Sequence, residues 1–383
     1  MGLHFSKEEF AQRKLKILEN MKDQNIDALL MFRQESMYWL TGYDTFGYVF
    51  FQCLILDQEG NIILLTRAPD LRQAQITSNI KDIRIWVDKD GSQPTDDLKI
   101  ILDELNLKGK KIGIEYDAYG MTGSNALKLN KSLENYCEVE DQSELISKLR
   151  VIKSKEELIY IKKAAELADK ALDEVWKYAK AGVNESKILA EMNRVIFEGG
   201  GDYPANEFII GSGKNALLCR YQAEKQTLNK IDQLSIEWAG TFRHYHSAMF
   251  RTILIGKANA RQIKMHEACM QALTNCVDTL KPGKTVGEIF DIHSKTFDDL
   301  GFNKARMNAC GYSLGSTFSP NWMDWPMIYT KNPYIIRPGN VFFMHMILMD
   351  SENQLAMNLG ETFIVTENGN ERLGNQALDL VIL

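Results

Sequence analysis

Leu234-Ser235-Ile236-Glu237-Trp238-Ala239-Gly240 reads as a β-strand with two unlike faces. Alternation puts Leu234, Ile236 and Trp238 on one side and Ser235 with Glu237 on the other. A carboxylate inside so apolar a strand is costly unless it is paired or working. Glu237 is therefore either an active group or the sign of an edge strand in water. The next run continues the pattern, with His244, His246, Ala248 and Phe250 recurring at every second position. His244 and His246 could ligate a metal from one strand face, but no third ligand is evident nearby.

Working outward, strand-type runs also fall at residues 208–211, 341–349 and 361–366, the last followed by a turn at Glu367-Asn368-Gly369-Asn370. Apolar periodicity predicts helices over 258–280 and 285–300. A long helix from 156 to about 179 buries Leu158, Ile161, Ala165, Ala168, Leu172 and Val175, and another covers 184–198. The first part of the chain alternates helices (7–24, 95–106, 122–135) with strands (28–32, 48–56, 62–65, 83–87, 111–115). The expectation is an α+β chain: a small N-terminal α/β domain over 1–148 and a larger domain over 149–383.

Composition narrows the function classes. The 383 residues carry a net charge of -6 without long runs of one sign, so no basic face for nucleic acid is expected. No stretch approaches the ~20 apolar residues of a membrane span. The first residues lack the apolar core of a signal peptide, and Met1-Gly2 followed by Ser6 matches a myristoylation pattern only by chance. The six cysteines, Cys53, Cys137, Cys219, Cys269, Cys276 and Cys310, form no CxxC pair. They read as reduced thiols of a cytoplasmic protein.

Other motifs are weaker. Pro282-Gly283-Lys284-Thr285 imitates the end of a phosphate loop, but Asp278 occupies the required glycine position. His266 and His293 read as surface or packing residues of helices. His345, in the apolar run Phe342-Phe343-Met344-His345-Met346-Ile347-Leu348, reads by itself as a core histidine. Asn321-Trp322-Met323-Asp324-Trp325-Pro326 reads as an ordered loop after a Gly-rich turn at 311–315. Its indole faces suit either packing or a delocalised cation.

Several stretches together resemble the creatinase and aminopeptidase P superfamily. They are Tyr38-Trp39-Leu40-Thr41-Gly42-Tyr43, Leu149-Arg150-Val151-Ile152-Lys153-Ser154, Leu280-Lys281-Pro282-Gly283, Arg337-Pro338-Gly339-Asn340-Val341 and Val365-Thr366-Glu367-Asn368-Gly369. The resemblance implies a creatinase-type N-terminal domain followed by a pita-bread domain. Peptidases of that superfamily bind two metal ions through two aspartates, a histidine and two glutamates. By position these become Glu237, Ala248, Tyr312, His345 and Gly360, so four of five ligands are lost and no metal or other cofactor is expected. Creatinase works without metal through a histidine and two glutamates; here Arg220, Phe250 and His345 stand at about those positions. Cys219-Arg220-Tyr221, Arg243-His244-Tyr245-His246, 321–326 and Phe343-Met344-His345-Met346 are most similar to the ectoine hydrolases, which open the cyclic amidine of ectoine to N-acetyl-diaminobutyrate.

That resemblance implies roles. Glu237 is the nucleophile or base, with His345 or His246 moving the proton. Arg220 suits a substrate carboxylate. Tyr312, Trp322, Asp324, Trp325 and His244 would surround the ring of ectoine or 5-hydroxyectoine. By analogy the protein would act as a homodimer in which Tyr48, Phe50 or Phe51 reaches the partner's site. Three alternatives stay open: a creatinase-like enzyme for another cyclic amidine or guanidine, a non-catalytic binding protein, and an Xaa-Pro metallopeptidase with a remodelled site.

Overall fold

The computed structural model describes residues 2–220 and 226–383. Met1 and Tyr221, named in the motifs above, lie outside the described residues. The chain divides into two compact units after Arg150.

The first unit holds six strands: β1 (Ala28–Met31), β2 (Cys53–Asp57), β3 (Ile62–Arg67), β4 (Asp82–Trp86), β5 (Lys111–Ile114) and β6 (Glu138–Asp141). They lie in the order β4-β3-β2-β1-β5-β6. Ala28 and Leu30 enter one apolar cluster and Leu29 and Met31 another. The central strand is thus apolar on both faces, as a sheet covered by helices on each side requires. Several elements differ from expectation. The helix Leu71–Thr77 and the strand β6 were not foreseen. Nor was the helix Gln34–Thr41, because all eight of its residues are buried and it has no polar face to set a 3.6-residue period. Residues 48–56 begin not as a strand but as a 3-10 turn, Gly47–Val49, with β2 starting at Cys53.

The second unit is built on β7 (Ile209–Ser212), β8 (Asp232–Phe242), β9 (Tyr245–Ile255), β10 (Gly311–Ser313), β11 (Asp324–Met327), β12 (Val341–Asp350), β13 (Leu355–Thr366) and β14 (Gly369–Arg372). The path is β11-β10-β12-β13-β9-β8-β7, with β14 on β13. Helices Ala260–Thr279 and Val286–Asp299 pack on Phe342, Met344, Met346 and Leu348 of β12 and on Met357, Leu359, Phe363 and Val365 of β13. Helix Lys155–Tyr178 crosses β8 so closely that a Cβ at Gly240 would lie 1.9 Å from the Ala164 carbonyl oxygen. Trp238 Nε1 donates to the Ala168 carbonyl at 3.0 Å. The apolar face of β8 is therefore its helix face, and Glu237 points the other way.

The Gly-rich turn expected at 311–315 contains β10, and the expected loop at 321–326 runs into β11. Both strands are three or four residues long, too short for alternation to show. His244 is not on the β9 face. With Arg243 it forms the two-residue hairpin turn between β8 and β9, at φ 65° and 50°, the pairing typical of a type I′ turn without its usual Asn-Gly.

Candidate functional site

Strand pairing sets one row of residues across the sheet of the second unit. Glu237 pairs with Ile209 on one side and Phe250 on the other. Phe250 pairs with Gly360, and Gly360 with His345. Glu237 and His345 thus face the same side of one sheet, separated by two apolar positions.

Glu237 keeps only 9% of its surface exposed. Burial pushes its carboxyl up from 4.5 to about 7, against the Tyr312 hydrogen bond and the nearby Arg220 charge, which pull it down. Tyr312 Oη donates to Glu237 Oε1 at 3.2 Å. Tyr312 in turn accepts from Trp322 Nε1 at 2.8 Å, and the Trp322 amide donates to Asn206 Oδ1 at 3.2 Å. Burial, then the Glu237 charge, hold the Tyr312 phenol protonated, so it remains a donor to the carboxylate.

His345 is half-buried. Its ring centroid lies 5.7 Å from that of Tyr312 and 5.4 Å from that of Phe343. Nδ1 is sealed, with no hydrogen-bond partner among the described residues. Burial, then Arg220, lower its pKa to about 4, so the ring is neutral at pH 7. Arg220 is exposed, yet its charge acts on Glu237, Tyr312 and His345 together.

The remaining expected site residues are placed differently. His246 is fully buried. Its Nε2 accepts from the Ala205 amide at 2.9 Å, and Nδ1 faces Thr317 Oγ1 at 3.2 Å. With both nitrogens engaged and its pKa lowered by burial to about 3, His246 is ill placed to shuttle protons and instead ties two loops together. Trp322 is 1% exposed, so its ring is not an open wall; it supports Tyr312. Trp325 packs edge-on against Tyr334, centroids 5.1 Å apart. His244 stacks on Phe318 at 4.2 Å, and its amide donates to Asp202. Asp324 accepts from the Trp325 amide at 2.9 Å and approaches Gly315, where the Lys153 side chain also lies. Tyr48 is buried in the first unit, and the neighbouring Phe46 and Phe50 are the exposed rings of that turn.

Sequence reading passed over several participants. Lys153 is buried and donates to Ser313 Oγ at 3.3 Å and to the Val151 carbonyl at 3.2 Å. Arg251 forms a buried ion pair with Glu361 and donates to the carbonyls of Phe250 (2.9 Å) and Gly360 (2.8 Å). It therefore clamps the middle of the row from behind. A buried arginine beside a glutamate in adjacent strands was the available signal.

The side chains do not fit a pair of metal ions. Ala248 and Gly360 offer no donor. A Cβ at Gly360 would lie 2.8 Å from the Phe343 ring and 2.9 Å from Phe250 Cβ, so that position has no room for a carboxylate. Glu361 projects to the opposite face, toward Arg251. Among the described residues no three His, Cys, Asp or Glu side chains converge. One carboxylate, one imidazole and a protonated phenol do not make the oxygen-rich shell that hard cations need.

Residues 160–367 match metallopeptidase family M24, and residues 13–152 match the creatinase/prolidase N-terminal domain. The chain is 26% identical to the ectoine hydrolase of Halomonas elongata, covering 98% of this chain and 97% of that one. It is 25% identical to the Xaa-Pro dipeptidase of Pyrococcus horikoshii, covering 96% and 97%. Among solved structures, a prolidase from Thermococcus sibiricus superposes with a TM-score of 0.88 at 21% identity, covering 98% of this chain and 99% of that one. A dipeptidase from Pyrococcus horikoshii gives 0.85 at 22%, covering 97% and 100%. At that identity the structural likeness speaks for the fold.

Proposed function

The chain belongs to metallopeptidase family M24, and from that premise we propose that it is a hydrolase that opens the cyclic amidine of ectoine, without a metal ion, to N-acetyl-L-2,4-diaminobutyrate. The observation that carries this reading is the buried carboxylate: Glu237, raised to about 7 and held by Tyr312, in a row whose other members are Phe250, Gly360 and His345. Similarity to the Halomonas elongata ectoine hydrolase along nearly the whole chain supports the substrate.

Ionised Glu237 takes a proton from water as the water oxygen adds to the amidine carbon, or attacks that carbon itself ahead of water. The tetrahedral carbon collapses to an amide carbonyl, the ring C–N bond breaks, and the leaving nitrogen receives a proton relayed by neutral His345. One water is consumed for each ring opened. Arg220 matches the substrate carboxylate, and 5-hydroxyectoine is a second candidate. We further propose action in the cytoplasm as a homodimer. No helix among the described residues is long and apolar enough to cross a membrane.

The test is to incubate chelator-stripped protein with ectoine and follow product mass, beside creatine and an Xaa-Pro dipeptide with and without manganese. Ring-opened product from stripped protein is expected. Dipeptide cleavage that requires the metal, with ectoine untouched, would overturn the reading.

A further inference from the structure

We propose that Phe343, seated over Gly360, is the positioning residue for His345. This deepens the reading above and rests on His345 as the proton carrier. Gly360 and His345 face each other across β13 and β12, and Phe250 faces Gly360 from β9. The backbone at Gly360 is not in the left-handed region, so no dihedral requires glycine there. A glycine inside a strand weakens it unless something approaches closely, and here something does. Cε2 and Cζ of Phe343 lie 2.8 Å from where a Cβ would stand.

The ring that uses this space is fully buried and belongs to a triangle. Tyr312 and Phe343 are 5.5 Å apart, Phe343 and His345 5.4 Å, and Tyr312 and His345 5.7 Å, centroid to centroid. Close packing leaves no slack in such a cluster. A Cβ at 360 must tilt Phe343 away from Phe250, into Tyr312 and His345. Tyr312 is bonded to Glu237, so the imidazole is the member with freedom to yield. Among the described residues no hydrogen bond at Nδ1 fixes its plane; the flanking rings do.

The experiment is a double-mutant cycle of Gly360→Ala and Phe343→Leu in the full chain. G360A is expected to lower kcat roughly tenfold or more with KM within about threefold, since misplacing a proton carrier acts on the chemical step. F343L is expected to lower kcat by itself, and adding G360A to it should cost nothing further, a non-additivity that separate destabilisations do not produce. The second readout needs no turnover: the Cε1–H resonance of His345 in ¹³C-histidine-labelled protein, assigned by its loss in His345→Asn. It should move in G360A, while F343L and the double variant share one shift. Wild-type kcat in G360A, an unmoved His345 resonance, or additive losses in the double variant would each overturn the proposal. If G360A does not fold, the double variant must fold and match F343L; its failure also overturns it. If wild-type protein leaves ectoine intact while the resonance follows the seat, the substrate reading fails and the positioning role stands.

Discussion

Replacing Glu237 by Gln should remove turnover and at the same time make the protein more stable at pH 8. Burial raises the carboxyl from 4.5 to about 7, so between those values the folded state holds a proton that the unfolded state has released. Stability therefore falls as pH rises through that window and levels off above it. At about 1.4 kcal/mol per pH unit, the ionised carboxylate costs the folded state about 3 kcal/mol at pH 8 and under about 1 kcal/mol at pH 5. Gln is nearly isosteric and uncharged, and its Oε1 can still accept from Tyr312. Its amide nitrogen gains no clear acceptor, which takes back about 1 kcal/mol. The net gain is then about 2 kcal/mol at pH 8 and close to zero at pH 5. For a unit of this size that is a rise in Tm of about 4–8 °C at pH 8. Calorimetry of both proteins at the two pH values, with product mass from ectoine, reads all of this. A variant less stable than wild type at pH 8, or an equal Tm difference at both pH values, would refute the claim that Glu237 is held ionised at a cost.

For the wild type, kcat/KM should rise through about pH 7 as Glu237 ionises, with no second limb above pH 5, because His345 titrates near 4; a stopped-flow or product-mass pH series checks both. Tyr312→Phe should move that limb to higher pH by removing a hydrogen bond that favours the carboxylate, and should lower stability by about 1–3 kcal/mol by orphaning Trp322 Nε1. His246→Phe should lower stability by a similar ~1–3 kcal/mol through the lost Ala205 amide bond, while the pH limb stays in place, measured by denaturant unfolding beside the rate profile. Ala248→Asp should push the limb upward by about one pH unit, because a like charge on the same face opposes ionisation of Glu237; a limb at or below the wild-type position would contradict the geometry of the row.

Glu237 was legible because a strand has period two: the residues on either side of it had to face a helix, and they do, with Trp238 bonded to Ala168. The alternation of helices and strands in the first unit was legible from the same kind of periodicity. His246 and Trp322 were legible as residues of interest but not in their roles. Residue type suggested a proton carrier and an aromatic wall. The partners that decide otherwise lie 41 and 71 positions away for His246 and 10 for Trp322, and no local pattern encodes them. His244 was misplaced because Arg243-His244 carries none of the Asn-Gly signature of a tight hairpin. The helix Gln34–Thr41 was invisible because total burial erases amphipathic period.

On the proposed reading, the row would also account for how a site with most of its charged ligands gone does chemistry. A carboxylate beside a divalent cation is ionised at any ordinary pH and acts as a ligand. With Ala248, Gly360 and rings at the neighbouring positions, burial is the dominant influence on Glu237. Among the described residues the Tyr312 hydroxyl and the Arg220 charge oppose it, and the balance falls at about 7. That is where a base must titrate to be both free and strong at neutral pH. The imidazole at the far end of the row is pushed the opposite way by the same burial, to about 4. One apolar floor thus separates the two groups in space and in pKa, leaving an anion and a neutral imidazole on one face of the sheet at pH 8. On the proposed reading, the residues that stand in place of metal ligands would be the ones that make Glu237 a base.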